Sequence, residues 1–159
     1  MIITKKRNIE NLDHVIKGII EFNQCFEILP RNFKDTFKFH YLQAKEKRII
    51  NSYEELEYES DISEKTLRGY KNGKSIPSKI NVIKIGLALR LPSQYIIDLL
   101  EKADCKICLN NEYNTLLLTI IYCYSQLGIE KVYEELKKYN RESLLNLSNK
   151  YLKNHNLIK

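Results

Sequence analysis

Apolar residues recur at intervals of three and four along most of the chain, the spacing that places them on one face of an α-helix. Strand-like alternation of apolar and polar residues is not convincing anywhere. The 159 residues include only 5 glycines and 3 prolines, a scarcity that disfavours a turn-rich β fold. The sequence therefore predicts an all-α protein with about nine helices.

Periodicity and capping signals together give the expected positions of these helices. Ser52 and Glu55 form a capping box, Ser63 is placed to cap the following helix, and Gly73 supplies its left-handed end. The segment 112–125 is apolar nearly all round, which predicts burial on several sides. We expect helices at 11–28, 33–47, 52–60, 63–72, 78–89, 95–100, 112–125, 129–139 and 142–153. The first carries Leu12, Val15, Ile16, Ile19, Ile20 and Phe26.

The charge and hydropathy of the chain limit its partners and its compartment. The net charge of +6 suits a polyanion partner, but a protein with surplus surface lysines explains it equally well. The longest apolar run falls short of the ~18 residues of a membrane span. The N-terminus also lacks a signal-peptide pattern. We therefore expect a cytoplasmic protein that does not contact membranes.

The cysteines and histidines give little sign of metal or cofactor chemistry. We expect free thiols at Cys25, Cys105, Cys108 and Cys123. The single C-x-x-C at 105–108 lacks a second ligand pair at zinc-site spacing, and His14, His40 and His155 are isolated. The sequence therefore predicts no metal, no cofactor and no catalytic constellation, which argues against an enzyme.

The two short helices at 52–60 and 63–72 carry the most specific pattern in the chain. Residues 53–64 include six acidic and no basic residues, whereas residues 65–97 include seven basic and no acidic ones. This separation gathers positive charge on the second helix and the loop after it, which favours phosphate contacts. A solvated charged face is the ordinary alternative.

Residues 52–100 resemble the Cro and phage-repressor type of helix-turn-helix domain, and 33–47 corresponds to the first helix of that family. The positions in register are Ser52, Glu54, Glu55, Leu56, Ile62, Ser63, Thr66, Leu67, Asn72, Gly73, Lys74, Pro77 and Ser78. The resemblance implies a lambda-repressor-like domain at 31–103. An N-terminal helical extension at 1–30 and a C-terminal helical segment at 104–159, which extends the core or mediates dimerisation, would flank it.

The resemblance also implies a function and a set of contact residues. Helix 63–72 would enter the major groove of double-stranded DNA as a recognition helix. Lys65 and Arg68 suit guanine, and Glu64 can accept from cytosine. The base-reading candidates are Glu64, Lys65, Arg68 and Gly69, and the phosphate-contact candidates are Ser52, Tyr53, Lys71, Asn72 and Lys74. The implied protein is a dimeric, nucleoid-associated transcriptional regulator of bacterial or phage type.

A second interpretation remains open because some positions depart from the family pattern. The usual glutamine is Tyr53, a small residue is Glu57, an apolar residue is Ser60 and the turn glycine is Asp61. With Glu64, these departures suit a protein-interaction module on a helix-turn-helix fold, such as an antitoxin or a phage accessory protein that binds a host protein. A continuous positive stripe would favour DNA, and an interrupted one a protein partner.

Overall fold

The computed structural model describes the backbone of residues 2–25 and 28–159, and the side chains of residues 12–24 and 28–159. Over this part of the chain it contains nine α-helices and no strand, which confirms the all-α prediction. None of the described helices is long and apolar enough to span a bilayer. The helices are α1 Ile2–Cys25, α2 Phe33–Glu46, α3 Tyr53–Ser60, α4 Glu64–Lys71, α5 Lys79–Ala88, α6 Ser93–Lys102, α7 Glu112–Tyr124, α8 Ile129–Lys137 and α9 Asn149–Asn154.

Short polar side chains fix where most of these helices begin. Each accepts a hydrogen bond from the backbone N–H three residues further on, which satisfies a donor that the first helical turn leaves free. The predicted starts at Ser52, Ser63 and Ser78 are confirmed. The same cap is made by Asn32, Asn111 and Ser148.

The core is one apolar cluster to which helices from α2 to α9 contribute. Helix α5 lies at its centre, and its side chains from Val82 to Ala88 are all buried. It packs against α3, α6 and α8. Because α5 is covered on several sides, its residues from Val82 to Ala88 are apolar except for Lys84. The C-terminal helices are therefore part of the same core that supports α3 and α4.

Helix α7 is less buried than its composition indicates. Its inner face holds Leu117, Ile120 and Ile121, whereas Tyr113 and Cys123 are exposed. The expectation of burial on several sides is therefore wrong for this helix. Apolar residues on the outer face of a surface helix are common, because folded proteins leave much apolar area in contact with water.

Two other helices differ from the sequence-based expectation. Helix α1 begins at Ile2, well before the predicted start at residue 11. Part of its apolar face is 36–58 % exposed, at Leu12, Ile16, Ile19 and Ile20. The predicted Phe26 lies outside the described residues.

The predicted helix at 142–153 is wrong, because Asn146 takes a left-handed conformation with φ 50°. It separates a 3₁₀ turn, Glu142–Leu145, from α9.

Candidate nucleic-acid interface

Helix α4 is anchored at both ends of its inner face. At its start, the Ser63 Oγ accepts from the Thr66 N–H at 3.2 Å, and the Glu57 carboxylate accepts from the Glu64 N–H. Further along, Leu67 and Tyr70 are buried. These contacts fix the orientation of α4 on α3, so its outer face has a defined direction.

The outer face of α4 lines an open concavity of about 890 Å³. All four predicted base-reading residues lie along it, together with two of the predicted phosphate contacts, Asn72 and Lys74. Lys65, Arg68, Asn72 and Lys74 are exposed, and Glu64 and Gly69 are half-buried. The lining residues are Glu64, Lys65, Thr66, Arg68, Gly69, Asn72, Lys74 and Ser75.

The side chain of Arg68 is engaged by Glu64, one turn earlier on the same helix. The Arg68 Nη2 and Nε atoms donate to the Glu64 Oε1 at 2.6 and 2.8 Å. The Arg68 side chain is 51 % and the Glu64 side chain 37 % exposed, and an ion pair in such contact with solvent contributes little to stability. Its effect is local, because it occupies the Nε–Nη2 edge of the guanidinium and offsets its charge.

Tyr53 organises two cations of α4, a role that sequence reasoning missed. Its ring is 7 % exposed and stacks on the Tyr41 ring with centroids 4.1 Å apart. The Arg68 guanidinium and the Lys71 ammonium lie 5.1 and 5.4 Å from its centroid, within cation–π range. Burial raises the pKa of Tyr53 to about 12; Tyr41 adds to the rise and Arg68 opposes it. The spacing of aromatic and basic residues alone does not reveal this contact.

The N-terminus of α3 is already occupied by the chain's own acceptors. Ser52 Oγ accepts from the Glu55 N–H at 3.1 Å, and Glu55 Oε2 accepts from the Asn51 N–H at 2.8 Å. Glu54 and Glu55 also place negative charge in the first turn. A phosphate at the predicted contacts Ser52 and Tyr53 would therefore meet acidic neighbours, which weakens the favourable effect of the helix dipole.

The departures at Asp61 and Ser60 have different consequences in the structure. Asp61 adopts the left-handed conformation that the turn requires, with φ 57°. Its carboxylate accepts from the Ser148 N–H at 2.7 Å and from the Ser148 hydroxyl at 2.5 Å. Ser60 is fully buried, and its hydroxyl has no hydrogen-bond partner among the described residues. The aspartate therefore ties the turn to the start of α9.

The same carboxylate holds one of the seven basic residues in the interior. Lys84 is buried, and its Nζ lies 3.4 Å from the Asp61 Oδ2 and 3.4 Å from the Asn146 carbonyl oxygen. Burial lowers the pKa of Lys84, and Asp61 opposes that change. Part of the charge separation seen in the sequence thus serves an internal ion pair, and Lys84 is not part of the positive surface.

A second polar cluster joins α3, α8 and the end of α9. It consists of Glu59, Glu130 and His155, whose oxygen and nitrogen atoms lie within 4.8 Å of one another. Within the described parts of the chain, these are the residues whose side chains are grouped closely enough to share a metal ion, and Cys105 and Cys108 are not among them. Sequence reasoning treated His155 as isolated, because its neighbours come from distant helices.

Comparison with known proteins gives no match. No family model fits the chain, and no curated protein or solved structure is significantly similar to it.

Proposed function

We propose that the chain is a sequence-specific DNA-binding regulator in which α3 and α4 form a helix-turn-helix of the lambda-repressor type. The observation that carries the proposal is the outer face of α4. The helix is held in place by its buried residues Leu67 and Tyr70. Lys65 and Arg68 on the helix, and Lys74 in the loop after it, are exposed to solvent. A short helix that is rigidly held and polar outward is the element that such domains insert into the major groove.

Electrostatics supports the same function. Lys65, Arg68, Lys71 and Lys74 lie within or just after α4, and Glu64 is the acidic residue among those that line its concavity. Positive charge at this density attracts phosphates and releases counterions from DNA. Lys71 is held against the Tyr53 ring, which reduces the side-chain freedom that it would lose on binding.

The pairing of Arg68 with Glu64 gives the interface a means of discrimination. On non-specific DNA the pair stays closed, and the charge of Arg68 is partly offset. On a cognate site Arg68 turns to guanine O6 and N7, and Glu64 accepts from a cytosine N4. Only a sequence that satisfies both side chains compensates for opening the pair, which is how an unpaired charge penalises a wrong partner.

A dimer would present two copies of α4 to two half-sites. Helix α1 offers a contact for the second copy, because Leu12, Ile16 and Ile19 are spaced by four and three and stay exposed in the single chain. That spacing is typical of the seam between two paired helices. We therefore propose α1 as a dimer contact in addition to the 104–159 segment, which also exposes apolar side chains at Leu109, Leu127 and Tyr139.

A mobility-shift titration tests the proposal. The probes are duplexes from the DNA upstream of the protein's own coding sequence and a scrambled duplex of equal length and composition, at moderate salt. Lys65→Ala and Arg68→Ala should each weaken specific binding by about 1–3 kcal/mol and relax specificity. Lys74→Ala should weaken binding to both probes alike and flatten its salt dependence. Lys106→Ala serves as a matched control, because Lys106 is exposed on the loop after α6 and does not line the concavity beside α4.

Equal affinity for the upstream and scrambled duplexes would remove the regulator function. The protein-interaction alternative would then be favoured, because the Glu64–Arg68 pair and the acidic first turn of α3 interrupt the positive surface. In that case Glu64→Gln would alter capture of a protein partner and leave DNA affinity unchanged.

A further inference from the structure

His155 presents a buried nitrogen that lacks a hydrogen-bond partner. The side chain is 2 % exposed and lies between the rings of Tyr58 and Tyr151, with centroids 4.3 and 3.9 Å away. Its Nε2 atom is buried, and no hydrogen bond reaches it from the described residues. A polar atom in this position costs free energy unless something binds it.

The other ring nitrogen defines which tautomer is present. His155 Nδ1 lies 3.0 Å from the Tyr151 carbonyl oxygen. A carbonyl oxygen can only accept, so Nδ1 carries the hydrogen and the neutral ring keeps its lone pair on Nε2. Metal-binding histidines use this arrangement, in which a backbone carbonyl orients the ring and the opposite nitrogen binds the ion.

Two carboxylates lie near the Nε2 atom. Nε2 lies 3.6 Å from the Glu130 Oε1 and 3.9 Å from the Glu59 Oε2, too far for hydrogen bonds. Bonds of 2.0–2.2 Å to a tetrahedral zinc ion would place pairs of ligand atoms roughly 3.3–3.6 Å apart. The two distances from Nε2 therefore need a shift of only a few tenths of an ångström to match such an ion, and the two carboxylate oxygens lie within 4.8 Å of each other.

The geometry points to a binding site for a single divalent transition-metal ion, of which Zn²⁺ is the best match, held by Glu59, Glu130 and His155. An imidazole ligand favours zinc, cobalt, nickel or iron over magnesium and calcium. Three protein ligands leave a fourth position for water. Because the ligands come from α3, α8 and the residue after α9, the ion would link the helix that supports α4 to the C-terminal segment. The site is independent of DNA binding.

Calorimetric titration with Zn²⁺ tests the site directly. The Cys105→Ser/Cys108→Ser double variant is the background, because it removes the half-buried Cys105 thiol and the exposed Cys108 thiol as competing zinc ligands. We expect one ion per chain. At a free Zn²⁺ concentration one hundred times Kd, the unfolding temperature should rise by roughly 5–10 °C. Mg²⁺ at the same concentration should leave it unchanged, and bound Co²⁺ should give visible absorption bands.

Glu130→Gln and Glu59→Gln each remove a ligand charge and keep the size of the side chain. Neither substitution changes the His155 side chain, which stays packed between the two tyrosine rings. Each should raise the Zn²⁺ Kd by at least about tenfold. Glu134→Gln is the matched control, since Glu134 is exposed on the same helix as Glu130. The proposal is overturned if the background variant shows no saturable Zn²⁺ binding. It is equally overturned if Glu130→Gln and Glu134→Gln have the same effect on Kd.

Discussion

Mild acid should destabilise this protein through one buried histidine. His40 lies on α2, is 3 % exposed and contacts the rings of Phe39 and Tyr95 edge-on. Its Nε2 has no hydrogen-bond partner among the described residues. Burial, together with the smaller effect of the nearby cations of Lys102 and Lys47, lowers the pKa of His40 from 6.5 to about 4.

The sign and the size of the effect follow from proton linkage. Between pH 6.5 and 4 the unfolded chain binds a proton at this position and the folded chain does not, so stability falls as the pH falls. With the pKa values 6.5 and about 4, the loss is negligible at pH 7.5 and about 2 kcal/mol at pH 5. It approaches about 3.4 kcal/mol below pH 4.

Urea unfolding at pH 7.5 and pH 5 measures this loss, and the midpoint should fall by roughly 1 M. Other groups titrate in the same range, so the comparison is made against His40→Leu. This variant replaces the imidazole with an apolar side chain of similar volume that binds no proton. The stability of the wild type should fall by about 2 kcal/mol more than that of His40→Leu between the two pH values. An identical loss in the two proteins would refute the assignment to His40.

Two further experiments test the contact between α5 and α6 and the ion pair between Asp61 and Lys84. In Gly86→Ala, the new Cβ would lie 2.5 Å from the Cγ1 of Ile96. The free energy of unfolding, measured with denaturant, should therefore fall by at least about 2 kcal/mol. A neutral effect would mean that α5 and α6 pack less tightly than described. Asp61→Asn removes the charge that faces the buried Lys84 ammonium and should cost about 3 kcal/mol. Adding Lys84→Met should recover most of that loss, and simple additivity in the double-mutant cycle would contradict the pairing.

Local signals made much of the fold predictable from the sequence. The starts at Ser52, Ser63 and Ser78 depend on one side chain and the next few backbone groups, and Gly73 ends α4 with φ 71° as its position indicates. The break before α9 has a similar local signal. Ser148 is a suitable cap, and Asn146 readily takes a left-handed conformation.

The candidate sites were less predictable, because their geometry depends on distant contacts. The sequence identified Lys65 and Arg68 as outward residues of α4, but neither the stacking of Tyr53 on Tyr41 nor its contact with Arg68 is a property of one helix. Glu59 and His155 come together only when α9 packs near α3. A sequence pattern within one segment carries no information on such a long-range contact.

Because Asp61 is hydrogen-bonded to Ser148, the α3–α4 pair is not a structurally independent unit. Tyr58 also donates to the carbonyl oxygen of Asn154 at 3.0 Å, and Lys84 reaches the carbonyl oxygen of Asn146. Asn146, Ser148 and Asn154 thus stabilise the position of the α3–α4 pair. A fragment that ends before Asn146 would leave Lys84 without the Asn146 carbonyl oxygen and Asp61 without Ser148. A graft of the α3–α4 pair onto another scaffold would also separate Asp61 from Lys84.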